Sequence, residues 1–192
     1  MLFSVSPNQL TVLRMAFVPV LVLLIAYGDW GWAILIFLAA GVTDMLDGLL
    51  ARRFGRKTAL GTFLDPIADK LLLVSSFIML TFGSLDLTVR IPLWLTIPVI
   101  GRDLILVLSV LIINLTVGRR IFPPSVLGKA TTVSQLVLIL MVLASNFFHR
   151  ELPGVPVVIY LVLALTVASG LHYMVQGMSL IGRESADSGT LQ

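Results

Sequence analysis

Asp44, Asp47, Asp65 and Asp69 place four carboxylates in a stretch that is otherwise strongly apolar. The first two are three residues apart and the last two are four apart, so on helices each pair shares one face. Gly48 and Ala51 stand beside the first pair and leave room there. A charged side chain within a bilayer costs at least about 2.5 kcal/mol and normally faces an internal or water-filled site. Four neighbouring acids repel one another unless something positive lies among them. A hard divalent cation bound by oxygen ligands is the simple answer. Carboxylate-only ligation suits Mg²⁺, Mn²⁺ or Ca²⁺ rather than zinc or copper, and one or two ions could be held. Mg²⁺ sites commonly join carboxylates to substrate phosphates, and two metals would clamp a diphosphate while a phosphoryl group is displaced. Arg52, just past the first pair, is placed for a bidentate phosphate contact. An acid not fully committed to metal could take the proton from an attacking hydroxyl.

A blander reading has the acids paired with neighbouring Arg or Lys. The local basic residues, however, lie mostly in the run Arg52–Lys57 and not within the apolar spans. Gly48 and Gly61 could serve close helix packing, a role compatible with opening room for a ligand.

The elements that must position these groups are membrane helices. The chain has 192 residues, of which 58% are hydrophobic and 12% charged, and its mean hydropathy is +1.04. Long apolar stretches of this kind mean transmembrane segments. With no cysteine, disulfides and thiolate metal sites are ruled out and redox compartment cannot be read. The start, Met-Leu-Phe-Ser-Val-Ser, lacks the basic region of a signal peptide. Six spans of roughly 20 residues can be drawn, at 10–28, 31–51, 60–83, 91–117, 125–147 and 155–178. Breakers separate them: Gly28-Asp29, the Arg52–Lys57 run, Gly83–Asp86, Gly118–Pro124 and His149–Pro156. The expected fold is an all-α integral membrane protein with six transmembrane helices and a short N-terminal interfacial segment. A single domain covers 1–182, and 183–192 is a polar, mobile tail.

Placing the second-to-third loop in the cytoplasm puts Arg52, Arg53, Arg56, Lys57, Arg119, Arg120, Lys129 and Arg183 at the inner side, and only Arg90 and Arg150 outside. That bias follows the positive-inside rule and leaves the aspartates within a few turns of the cytoplasmic surface. Arg14, one turn inside the first span, reads as snorkelling to headgroups slightly ahead of a substrate contact. Asn8 reads as a helix cap. Pro19, Pro92 and Pro98 read as kinks filled in by packing.

The pattern Asp44-x2-Asp47-Gly48-x2-Ala51-Arg52-x8-Gly61-x3-Asp65-x3-Asp69 resembles, at every fixed position, that of the CDP-alcohol phosphotransferase family. The six-span layout is similar over nearly the whole chain. The resemblance implies transfer of a substituted phosphate from a CDP-linked donor to an alcohol, with release of CMP. It implies that Asp44, Asp47, Asp65 and Asp69 bind two divalent ions, Mg²⁺ or Mn²⁺, and that Asp69 is the catalytic base. Asp44, Gly48, Ala51, Arg52 and Gly61 would form the nucleotide and diphosphate pocket. A homodimer in a bacterial inner membrane, with its site facing the cytoplasm, is also implied.

Asp65-Pro66-Ile67-Ala68-Asp69-Lys70 and Asn8-Gln-Leu-Thr11-x2-Arg14 resemble the branch that makes anionic phospholipids from CDP-diacylglycerol. Gly101-Arg102-Asp103 and Gly128-Lys129-Ala-Thr131-Thr132-x2-Gln135 fall where that branch places acceptor-binding residues. Arg102 and Lys129 could hold an acceptor's phosphate by charge-assisted hydrogen bonds. Lys129 also reads as an ordinary positive-inside residue, and Asp103 as structural. Members that use glycerol 3-phosphate usually have Glu where Asp103 stands and Lys where Thr131 stands. Both departures resemble cardiolipin synthases, which use phosphatidylglycerol. Glycerol 3-phosphate leads because its transfer is the commoner role for a short chain of this type.

Two other classes compete. A small transporter could bury acids among six helices, but internal repeats and paired broken helices are not evident in the sequence. A non-catalytic scaffold would tolerate substitution of Asp69. Nucleic-acid binding is disfavoured, because the basic residues hug the membrane face without interleaved aromatics.

Overall fold

The computed structural model describes the backbone of residues 7–54, 59–83, 87–116 and 126–189, and the side chains of 13–43, 70–83, 87–108 and 126–173. Within them the chain is all helical. Six helices follow in order: α1 (Pro7–Tyr27), α2 (Trp30–Phe54), α3 (Ala59–Phe82), α4 (Leu93–Thr116), α5 (Val126–Phe147) and α6 (Val155–Gly189). The six spans drawn from hydropathy each coincide with one helix. Among the described residues, Val126–Phe147 and Val155–Tyr173 are long and apolar enough to cross a membrane.

Helix ends follow local chemistry. Pro7 opens α1, where its missing N–H costs nothing. Asn8 is therefore already helical and not the residue that caps it. Gly28 closes α1 with φ +78°. Its N–H reaches Ile25 O at 3.2 Å and the Asp29 N–H reaches Leu24 O at 2.9 Å, a Schellman turn that only glycine enters without strain. Pro19 and Pro98 lie inside α1 and α4. Pro92 does not kink a helix. It precedes α4, and its carbonyl accepts from the Leu95 and Thr96 amides at 2.9 and 3.2 Å. The polar stretch after residue 182 continues α6 to Gly189 instead of starting a separate mobile tail at that point.

α1 packs against α2 and α3, α5 against α2, α3 and α6, and α4 against α3 and α6. The core is built from helical stripes. α5 buries Gly128, Thr131, Gln135, Leu138, Val142 and Ser145 at spacings of three and four. Of these, Leu138 and Val142 join Ala33, Phe37 and Ala40 of α2 and Leu73, Phe77 and Leu80 of α3 in one apolar cluster. Gly31 of α2 sits so close to α5 that a Cβ there would come within 3.3 Å of the Phe147 ring. The exterior is also apolar: Leu23, Leu35, Ile97, Ile105, Val157 and Leu171 are all exposed. Large apolar side chains turned outward on helix after helix suit a lipid solvent and not water.

One end of the bundle is tied by side chains. The Thr81 and Thr96 hydroxyls join α3 to α4 at 2.7 Å. Ser145 Oγ accepts the Leu152 amide at 3.2 Å across the turn into α6. Trp30 and Trp32 begin α2 at this end and Trp94 begins α4, the last stacked on Tyr160 with ring centroids 5.9 Å apart. Aromatic rings gathered at one level are the usual mark of a membrane interface.

Candidate active site

Backbone geometry puts Asp44, Asp47, Gly48, Ala51 and Arg52 on α2, and Gly61, Asp65 and Asp69 on α3. Each aspartate pair thus rides a single helix, as its spacing demands. The side chains of these eight residues lie outside the described ones. α1 packs against both carrier helices.

Arg14 belongs to α1's buried stripe with Leu21 and Ile25, seven and eleven residues on, and is only 2% exposed. The snorkelling expectation is therefore corrected. A side chain this deeply buried cannot lie along lipid, and Arg14 is not without a partner.

Beside Asp69 the described structure begins with a charged cluster. Lys70 Nζ on α3 lies 2.8 Å from Asp103 Oδ2 on α4. The other Asp103 oxygen accepts from Arg102 Nη1 at 2.7 Å. Arg102 Nη2 donates to Ser169 Oγ of α6 at 2.8 Å, and the guanidinium carbon stands 5.8 Å from the Tyr173 ring centroid. Arg102, Asp103 and Ser169 are buried. Arg102 Nε, alone among its three nitrogens, has no partner. A buried guanidinium is thus compensated by a carboxylate and a hydroxyl. Ser169 and Tyr173 escaped the sequence reading, and Lys70 entered it only as a motif residue without a role. The available signal was Asp103 itself, an acid in an apolar span that requires a cation.

Lys129 is placed differently. It is exposed at the start of α5 and lines an open groove of about 500 Å³ between α5 and α6, otherwise walled mainly by Val126, Val133, Val137, Leu161 and Leu165. No ion pair to it is formed among the described residues, so the structure does not bring Lys129 into the Arg102 cluster. Thr131, in the same motif, is fully buried. Its hydroxyl reaches the carbonyls of Leu127 at 2.8 Å and Leu165 at 3.2 Å. Gln135, one turn on, is fully buried with neither amide atom partnered.

Helices α2 and α3 thus carry paired acids, and a buried basic cluster borders the second pair. Comparison with known proteins gives this arrangement its class. The CDP-alcohol phosphatidyltransferase family model matches residues 4–171, and the chain belongs to that family. It is a phosphatidyltransferase of phospholipid biosynthesis. A probable phosphatidylglycerophosphate synthase of Mycobacterium tuberculosis is 38% identical over 189 residues, covering 91% of this chain and 82% of that one. A CMP-forming cardiolipin synthase of Streptomyces coelicolor is 36% identical over 149 residues, covering 73% and 65%. A CDP-diacylglycerol–glycerol-3-phosphate 3-phosphatidyltransferase of Bacillus subtilis is 29% identical over 184 residues, covering 87% and 92%.

Proposed function

We propose that this chain transfers the phosphatidyl group of CDP-diacylglycerol to a hydroxyl of glycerol 3-phosphate, forming phosphatidylglycerophosphate and releasing CMP. The observation that carries this reading is near-full-length kinship with a phosphatidylglycerophosphate synthase in a chain holding every fixed position of the aspartate motif. In the step, the acceptor oxygen attacks the phosphorus that bears diacylglycerol. A new O–P bond forms, the bond to the CMP oxygen breaks, and CMP leaves with that electron pair. Asp69 takes the hydroxyl proton.

Asp44, Asp47, Asp65 and Asp69 hold two Mg²⁺ or Mn²⁺ ions in this reading. An all-carboxylate donor set suits hard cations. Held by these carboxylates, such ions would supply positive charge to the diphosphate. Gly48, Ala51 and Gly61 leave space for the nucleotide, and Arg52 contacts its phosphates. Arg102 and Lys129 receive the acceptor's phosphate. All six helices span the bacterial inner membrane, a reading supported by helix lengths of 21 to 35 residues and by the apolar exterior. The excess of Lys and Arg around the α2–α3 and α4–α5 connections puts the site on the cytoplasmic side. Homodimer formation rests on the family resemblance alone.

A second reading, cardiolipin synthesis from phosphatidylglycerol, is favoured by Thr131. Its buried hydroxyl is spent on backbone carbonyls, so this position offers no cation to a small anionic acceptor. An acceptor panel decides between the two. Purified protein receives CDP-diacylglycerol and Mn²⁺ with either alcohol, and CMP and lipid products are recorded. CMP formed with glycerol 3-phosphate alone supports the first reading. CMP formed with phosphatidylglycerol alone replaces it with the second.

A further inference from the structure

Asp103 touches more of the cluster beside Asp69 than any role as packing requires. Neighbouring residues on a helix point about 100° apart and do not ordinarily meet, yet Arg102 folds back so that Nη1 reaches Asp103 Oδ1 at 2.7 Å. Lys70, arriving from α3, brings its ammonium within 2.8 Å of the other oxygen, an ion pair without hydrogen-bond alignment. One carboxylate thereby fixes two cations from two helices, and it does so at 2% exposure. On the far side, Ser169 of α6 holds Nη2 at 2.8 Å. The guanidinium is pinned at both terminal nitrogens, while Nε–H remains buried and unpartnered. A buried donor with no acceptor costs about 1–3 kcal/mol, a cost relieved when an anionic oxygen reaches it. Among the described residues, two cations against one anion leave the cluster with surplus positive charge.

We infer that Asp103 is a positioning residue of the transfer reaction. By gripping Arg102 and Lys70 together, it sets the guanidinium that receives the acceptor's phosphate against the rotation of α3, whose preceding residue is Asp69. This inference rests on the reading that Arg102 meets the acceptor. Ser169 completes the grip from α6. A mere structural tie would make the loss of Asp103 felt equally by both substrates. A positioning role concentrates it on the acceptor.

The test uses the purified full-length protein in lipid nanodiscs, with CMP release followed as each substrate is varied in turn. Asp103→Asn keeps the shape and removes the charge. It should raise the acceptor KM about tenfold or more while the KM for CDP-diacylglycerol stays within about twofold. Asp103→Glu restores the carboxylate and should recover most of the loss. Ser169→Ala strands no charge and serves if Asp103→Asn fails to fold; it should raise the acceptor KM alone, by about threefold to fivefold. Unchanged kinetics, an equal rise in both KM values, or no recovery with Asp103→Glu would overturn the inference. If the parent enzyme uses phosphatidylglycerol and not glycerol 3-phosphate, the proposed acceptor falls. The same KM split, read with phosphatidylglycerol, still decides Asp103, because both alcohols carry a phosphate.

Discussion

The side-chain amide of Asn146 pairs with both backbone groups of Val89. Its Oδ1 accepts the Val89 N–H at 3.3 Å and its Nδ2 donates to the Val89 carbonyl at 3.0 Å. A third bond, from Nδ2 to Val142 O at 2.8 Å, holds the amide on α5. Asn146 is fully buried, so a short segment before α4 has its polar backbone satisfied by one side chain from 57 positions away.

Replacing Asn146 by Leu should therefore strand the Val89 N–H and C=O without water to replace the lost partners. A destabilisation of about 2–6 kcal/mol is expected, at about 1–3 kcal/mol for each of the two buried groups left unpaired. Thermal unfolding in detergent checks it. Because this clasp sits at the end of α5 far along the chain from Lys129, KM values for both substrates should hold at temperatures where the variant stays folded.

Gln135 should behave in the opposite sense. Its amide is fully buried with no partner at either atom, and burying an unpaired amide costs about 1–3 kcal/mol on protein scales. Gln135→Met removes the amide at similar volume, so the unfolding temperature should rise. A simultaneous fall in CMP release would show that the amide is kept for a ligand; a fall in unfolding temperature would show that it is paired in the working protein.

Asp65→Asn and Asp69→Asn should each lower CMP release by at least about 100-fold while the protein remains folded in membranes. Each change removes one carboxylate charge and little volume. Full activity in either variant would remove the aspartate site from the mechanism.

Exhaustive chelation should stop turnover, and added Mg²⁺ or Mn²⁺ should restore it. Turnover that continues after chelation would refute the metal reading while leaving family membership untouched.

The six helices were legible because each apolar stretch is near membrane length and each break carries Gly, Pro or a charge run. Boundaries moved where a single residue decides locally. Pro92 holds back the start of α4, and Arg52–Phe54 carry α2 onward past the apolar stretch. The aspartate pairs were legible because their spacing places them on helix faces whatever the tertiary structure. Arg14 was misread because its surroundings depend on which helices flank α1, and nothing local announces that. The partners of Arg102 were hidden for the same reason. Ser169 lies 67 positions away, and no periodicity links one helix to the side chains of another.

Helix α6 has 35 residues, about 52 Å at about 1.5 Å per residue, whereas a hydrocarbon layer is about 30 Å thick. It outruns the 21-residue α1 by about 20 Å. With Tyr160 near its start stacked on Trp94, that surplus lies at the end of α6 remote from this ring pair. The helix is therefore a stiff mast, longer than a hydrocarbon layer is thick.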